Sequence, residues 1–330
     1  MGSKLTATTA GLAMLALATG GLTACGTSSG GSSGTAAKKN LELIVGTKSD
    51  NFYVTMECGA KREARKLGVN LTVTGPATFS PPEQKPLIDA AQVSKPDALI
   101  VAPTDSAALN SDLLKVQQSG TKLIFVDTSS SDPALGLSRI SSNNAAGGKL
   151  AADRLGALLH GKGTVAVISV AKGVSTTDAR VQGFQQEMKA KFPGIKMLGE
   201  QNDNADSVTT AAQFIEGDIS AHPNLNGAFA ANVITAQGAA AGVNHAHKSG
   251  KVQLATFDAD PQQMTMLTKG TIQLAIAQEP AIEGADGVIQ AMNAIKGKPV
   301  TKNIATPLIA ITKQNMNSPS VKPYVYVAGC

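Results

Sequence analysis

The chain has no tryptophan, and only 3% of its 330 residues are aromatic. Charge is sparse too. Asp, Glu, Lys and Arg make up 16%, and the net charge of +5 is scattered, with no Lys/Arg block and no aromatic-basic interleaving. With no helix-turn-helix segment ahead of the patterned region either, this argues against a nucleic-acid partner. No G-x-G-x-x-G, Walker loop or paired-carboxylate spacing appears in a strand-helix context, so nothing points to an enzyme or a cofactor. His245 and His247 would face different sides of a helix and lack a third ligand, so no metal site is read there. Gly26-Thr27-Ser28-Ser29-Gly30 matches the G-x-S-x-G hydrolase elbow in letters alone, because neither the strand nor the helix that would strain and expose the serine is present.

The first apolar run, Leu12 to Leu17 after Lys4, is too short to span a bilayer and reads as a secretory signal over residues 1–24. It ends in Leu22-Thr23-Ala24-Cys25, which resembles the lipobox of bacterial lipoproteins, in which Cys25 carries the lipid. Residues 25–40 then form the lipidated cysteine and a flexible Gly/Ser/Thr/Ala linker, suited to tethering a folded domain outside the cytoplasm. Of the three cysteines, Cys58 and Cys330 are left over. In an oxidising compartment two thiols usually pair, which would staple the tail 318–330 onto the first domain. Two unpaired cysteines stay open as the alternative, since sequence supplies no distance between them.

From Leu41 onward, short apolar strands alternate with helical spacings, and the strands repeatedly end on one polar residue. Leu41 to Val45 empties into Asp50-Asn51-Phe52-Tyr53, and Val101 leads to Thr104-Asp105. Val126 is followed by Asp127-Thr128, Phe229 by Asn232, Phe257 by Asp258 and Ile276 by Gln278. Four such units, a loop, and then a second alternation predict an α/β protein with two doubly wound parallel-sheet lobes. Ligands of open parallel sheets sit beyond the carboxyl ends of the strands, so these endings converge on one place.

The order Phe52-Tyr53, Ala102-Pro103-Thr104-Asp105, Val126-Asp127, Ser142-Asn143-Asn144 with Gly147-Gly148, Arg180 before Gly183-Phe184, Ala221-His222-Pro223, Phe257-Asp258 and Ala277-Gln278-Glu279-Pro280 is specific. Over Leu41 to Thr312 it resembles the ribose-type periplasmic binding proteins, the solute-binding components of monosaccharide ABC importers. The resemblance implies two lobes joined by a three-crossover hinge near Ser142, Gln278 and Thr306-Pro307. The N-terminal lobe would be residues 41–142 plus 279–306 and the C-terminal lobe 143–278 plus 307–317. Carried over residue by residue, Asp50, Phe52, Tyr53, Asp127 and Thr128 would face the ligand from the first lobe. Arg180, Asn232 and Asp258 would come from the second lobe, and Gln278 from the return crossover.

The residue chemistry is consistent with this. A sugar hydroxyl both donates and accepts, so carboxylates such as Asp50, Asp127 and Asp258 take its protons while Arg180 donates. Asn232 and Gln278 do both, and Phe52 and Tyr53 offer faces for the C–H side of a ring. Two departures bear on the guest. Thr128 stands where ribose binders carry Arg, and Ala102 where they carry an amide, so another pentose, a hexose or a sugar alcohol fits the same framework. The expected protein is a monomeric, lipid-anchored receptor for such a sugar, working with a membrane permease and its ATPase. A sensor handing a sugar-like signal to a receptor is the alternative.

Overall fold

The computed structural model describes residues 37–330; the signal segment, Cys25 and the linker up to residue 36 lie outside them. In chain order the elements are β1 (Asn40–Ile44), α1 (Asn51–Leu67), β2 (Asn70–Thr74), α2 (Pro81–Ser94), β3 (Ala98–Val101), α3 (Asn110–Gln118), β4 (Lys122–Val126) and β5 (Ser138–Ser142). They continue with α4 (Asn144–Leu158), β6 (Gly163–Val170), α5 (Ser175–Lys191), β7 (Ile195–Asp203), α6 (Val208–Ala221), β8 (Leu225–Ala230), α7 (Val233–His245) and β9 (Gln253–Phe257). The last are α8 (Pro261–Lys269), β10 (Leu274–Gln278), α9 (Pro280–Ile295), β11 (Asn303–Thr306) and β12 (Leu308–Ile311).

These strands form two six-stranded sheets, ordered β11-β5-β4-β3-β1-β2 and β12-β10-β9-β8-β6-β7. Period-2 alternation within each strand feeds two separate cores. Leu41, Leu43, Ile100, Ile124 and Val126 face one side of the first sheet, while Ile44, Leu99, Val101, Leu123 and Phe125 face the other. The second sheet does the same, with Ala166, Ile168, Ala228 and Ala230 on one face and Val165, Val167, Phe229 and Ala231 on the other. A parallel sheet buried on both faces needs such nearly continuous apolar runs, which is why the strands were legible. Two features were not expected. Residues 303–306 form β11, which pairs with β5, and β12 runs antiparallel to β10.

The chain passes between the sheets three times, after β5, after β10 and between β11 and β12. The three passages meet on Glu283 in the first turn of α9. Its Oε1 accepts hydrogen bonds from Ser142 Oγ and Thr306 Oγ1, both at 2.9 Å. After β12 the tail packs Val321 into the second-lobe core and runs to Cys330, which is disulfide-bonded to Cys58 on α1 with a Cα–Cα distance of 5.4 Å.

Candidate functional site

Asp50 caps α1, accepting from the Phe52 amide at 2.8 Å, and so aims the first helical turn at the cleft. Phe52 and Tyr53 lie there edge to face, centroids 5.0 Å apart, and Tyr53 stacks beside Phe79. Gly46 lets Tyr53 in, since a Cβ there would collide with its hydroxyl and ring. The Tyr53 hydroxyl donates to Asp127 Oδ2 at 2.6 Å.

Asp127 and Asp258 hold equivalent positions in the two lobes. Each follows the last residue of a buried strand, β4 or β9, and its amide donates to the neighbouring strand, Asp127 to Ile140 and Asp258 to Ile276, both at 2.8 Å. Both take left-handed backbone, φ 57 and 78, a region that Asp enters more readily than most residues.

Arg180 is built in from α5. Helices α4 and α5 approach so closely that a Cβ on Gly148 would strike the Arg180 carbonyl, and one on Gly183 the Ala145 carbonyl. This sets the guanidinium 3.9 Å over the Phe257 ring, with Nε donating to Asn144 Oδ1 at 2.7 Å and Nη1 to the Ala231 carbonyl at 2.9 Å. Asp258 Oδ2 lies 3.8 Å from Nη1. Asp258 Oδ1 accepts from Gln278 Nε2 at 2.6 Å and from Tyr326 at 2.8 Å, and Gln278 Oε1 is buried without a partner.

Most of these groups border one cavity, about 420 Å³ when all the open space at its mouth is counted. Eight of the nine expected side chains share it: Asp50, Phe52, Tyr53, Asp127, Arg180, Asn232, Asp258 and Gln278. Thr128 does not. The backbone turns at Asp127 to bring that carboxyl to the cleft, and Thr128 is left buried outside the lining with its Oγ1 unpartnered. Asn232 is also more committed than expected. Its Oδ1 accepts from the Thr235 amide and hydroxyl in the capping box of α7, and its Nδ2 donates to Asp206 Oδ1 at 3.1 Å. Across the mouth the lobes touch: the Ser106 amide donates to the Gly173 carbonyl at 2.9 Å, the Ser129 amide to Ser175 Oγ at 3.0 Å, and Asn51 Nδ2 to Asp260 Oδ2 at 2.6 Å.

Sequence reasoning missed Phe79, Val170, Val174, Thr176, Thr177 and Asp206 in the lining. Thr176 and Thr177 precede Arg180 by four and three residues, so helical spacing on α5 held a signal for them. Phe79 and Asp206 sit in irregular loops with no periodicity to mark them.

Four carboxyl groups face one guanidinium, and burial moderates that surplus. Desolvation, then the charge of Asp258, pushes Asp50 well above the ordinary carboxylate range, toward its neutral form. Burial raises Asp127 to about 6 against the pull of Arg180 and of the Tyr53 hydroxyl. Asp206 also rises to about 6 on burial, opposed by its bond from Asn232. Burial and the adjoining Asp127 and Asp258 push Tyr53 and Tyr326, respectively, well above 10, so both hydroxyls remain donors. Among the described residues no group of three His, Cys, Asp or Glu side chains has metal-holding geometry. The wall offers acceptors, one fixed cation, hydroxyls and an aromatic face.

Residues 41–299 match the model of the periplasmic binding protein domain. The ribose import binding protein of Escherichia coli is 30% identical over 279 residues, covering 84% of this chain and 92% of the relative. Among solved structures, an ABC transporter solute binding protein from Agrobacterium vitis, bound with α-D-tagatopyranose, superposes with a TM-score of 0.85 at 38% identity, covering 88% of this chain and all of that one. A carbohydrate transporter solute binding protein from Agrobacterium radiobacter, in complex with D-arabinose, gives 0.84 at 26% identity with the same coverage. With two lobes, three crossovers and a shared polar cavity alongside these matches, the chain belongs to the periplasmic binding protein family, in its ribose-type branch, and is a binding protein and not an enzyme.

Proposed function

We propose that this protein is the lipid-anchored receptor of an ABC importer, enclosing a monosaccharide or sugar alcohol between its lobes and presenting the closed form to a permease and its ATPase. Cys25 is the anchor and residues 26–39 the tether, since β1 begins at Asn40. The receptor works as a monomer, because both walls of the cavity come from one chain. The observation that carries the reading is the pairing of Asp127 and Asp258, one from each lobe at equivalent strand ends, on a single cavity with Arg180. A hydroxylated guest bonds to both only when the lobes meet, which is what couples binding to closure. The relatives named for ribose, tagatose and arabinose support a small neutral sugar, and the missing arginine at Thr128 favours a guest other than ribose.

Isothermal titration against D-ribose, D-arabinose, D-tagatose, D-allose and the common sugar alcohols tests this. At least one should bind at micromolar affinity or better, as a few charge-assisted hydrogen bonds of about 1.5–3 kcal/mol each allow. Asp258→Ala should abolish that binding. A panel in which nothing binds, or binding that survives Asp258→Ala, refutes the assignment.

A further inference from the structure

The lobes have a fourth connection besides the three crossovers. The C-terminal tail leaves β12 in the second lobe, where Val321 is fully buried and Tyr324 and Val325 pack against the same core. Its last backbone bond to that lobe runs from the Tyr326 amide to the Ala259 carbonyl at 3.1 Å. The chain then changes sides. The Tyr326 ring, 2% exposed, belongs to the first-lobe core and meets Phe52 edge to face at 5.7 Å. The Val327 amide donates to Thr55 Oγ1 on α1 at 2.9 Å, and Cys330 is bonded to Cys58 on the same helix. At the crossing itself the Tyr326 hydroxyl donates to Asp258 Oδ1 at 2.8 Å, on the oxygen that also accepts from Gln278.

We infer that this tail is a disulfide-closed strap limiting how far the lobes open, and that Tyr326 is its latch and a positioning residue for Asp258. Between the last second-lobe anchor at Tyr326 and the disulfide lie residues 327–330, which can span at most about 14 Å when fully extended. Opening the cleft carries α1 away from β9 and α8. Once the distance from Tyr326 to Cys330 reaches that limit, the tail must tear Tyr326 from both Asp258 and Phe52, and then Val321 from the second-lobe core. The crossovers sit at the hinge and have little leverage. The strap joins α1 directly to the strand end carrying Asp258, so it acts on the cavity wall. With the disulfide cut, only the Val327–Thr55 bond and apolar contacts resist. The same geometry gives Tyr326 its second role. Asp258 Oδ1 is held from two sides, by Gln278 on the second sheet and by Tyr326 on the strap, which leaves Oδ2 toward Arg180.

The inference assumes the two-lobe hinge motion of the proposed function, yet its main test needs no sugar. Small-angle scattering of the ligand-free, oxidised full-length chain should give a smaller radius of gyration than three variants. In the first, Gly-Gly-Ser-Gly is inserted between Val327 and Ala328, which keeps the disulfide and adds slack. The second is Cys58→Ser with Cys330→Ser. The third is Tyr326→Phe, which keeps the ring on Phe52 and removes only the latch. Should the double serine chain fail to fold, the lengthened strap decides by itself. Identical radii for wild type and the lengthened strap overturn the strap, and an unchanged radius for Tyr326→Phe overturns the latch. With D-tagatose as probe, Tyr326→Phe should speed dissociation about tenfold, the loss of one hydrogen bond to a charged group. If wild type does not bind D-tagatose, the panel sugar that it does bind takes its place as probe; if none binds, the sugar assignment falls while the scattering result stands apart from it.

Discussion

Replacing Glu283 by glutamine should make the ligand-free protein more stable at pH 8 and leave it nearly unchanged at pH 5. Glu283 is fully buried where the three crossovers meet, with Oε1 bonded by Ser142 and Thr306 and Oε2 lacking any partner. Burial and the nearby Asp127 push its carboxyl from 4.5 to about 8, against the two hydroxyl bonds and the pull of Arg180. The sign follows from proton counting. Between about pH 4.5 and pH 8 the folded chain holds a proton that the unfolded chain has released, so stability is full below 4.5 and is lost as pH climbs toward 8. Each pH unit in that window costs about 1.4 kcal/mol, which sums to a few kcal/mol. Glutamine keeps the carbonyl that accepts from Ser142 and Thr306 and never ionises. Scanning calorimetry at pH 5, 6, 7 and 8 should show the two melting curves coinciding at the acid end and separating steadily. At about 2–4 °C per kcal/mol, the gap at pH 8 should reach several degrees. A gap that is the same at pH 5 and pH 8 would show that Glu283 ionises in the folded hinge and would refute the reasoning.

Three further outcomes follow from the same structure. Asp127 accepts a hydrogen bond from a sugar hydroxyl more strongly when ionised, and burial raises its ligand-free carboxyl to about 6, so sugar affinity should rise between pH 5 and pH 7. Calorimetric titration across that range checks it, and Asp127→Asn should weaken binding and flatten the profile to what Asp206 in the same cavity still contributes. Gly148→Ala should push α4 off α5 and displace Arg180, costing about 1–3 kcal/mol of stability and most of the binding. Gly217→Ala on α6, where a Cβ meets nothing, should be neutral or slightly stabilising in the same melting and titration assays.

Much of the framework could be read from the chain because its physics is local. The strands announced themselves as apolar runs, since sheets covered on both sides need them, and the polar residue closing most runs marked the cleft because strand ends in such sheets face one way; Thr104-Asp105 is the exception, with Thr104 bonded to Gln84 and Asp105 to the Ala107 and Ala108 amides outside the lining. The Cys58–Cys330 pair was the preferred of two readings of the leftover thiols, and the disulfide is present. Asn232 shows where this kind of reading stops. Its residue type and position suggested a ligand group, but the same side chain serves the α7 cap and Asp206, a choice that depends on neighbours far away in sequence.

The sequence by itself determined the two-lobe α/β plan and the acids and amides at the strand ends, because side-chain alternation and strand termination are properties of a few consecutive residues, whereas Arg180, in the middle of α5, was marked only by the family resemblance. Only the tertiary structure decided that Thr128 falls outside the cavity while Asp206 and Phe79 enter it, that Glu283 collects all three crossovers, and that Tyr326 arrives at Asp258 from 68 residues away. Those outcomes depend on backbone turns, on desolvation and on which distant segments pack together, and none of these is encoded in the spacing of neighbouring residues.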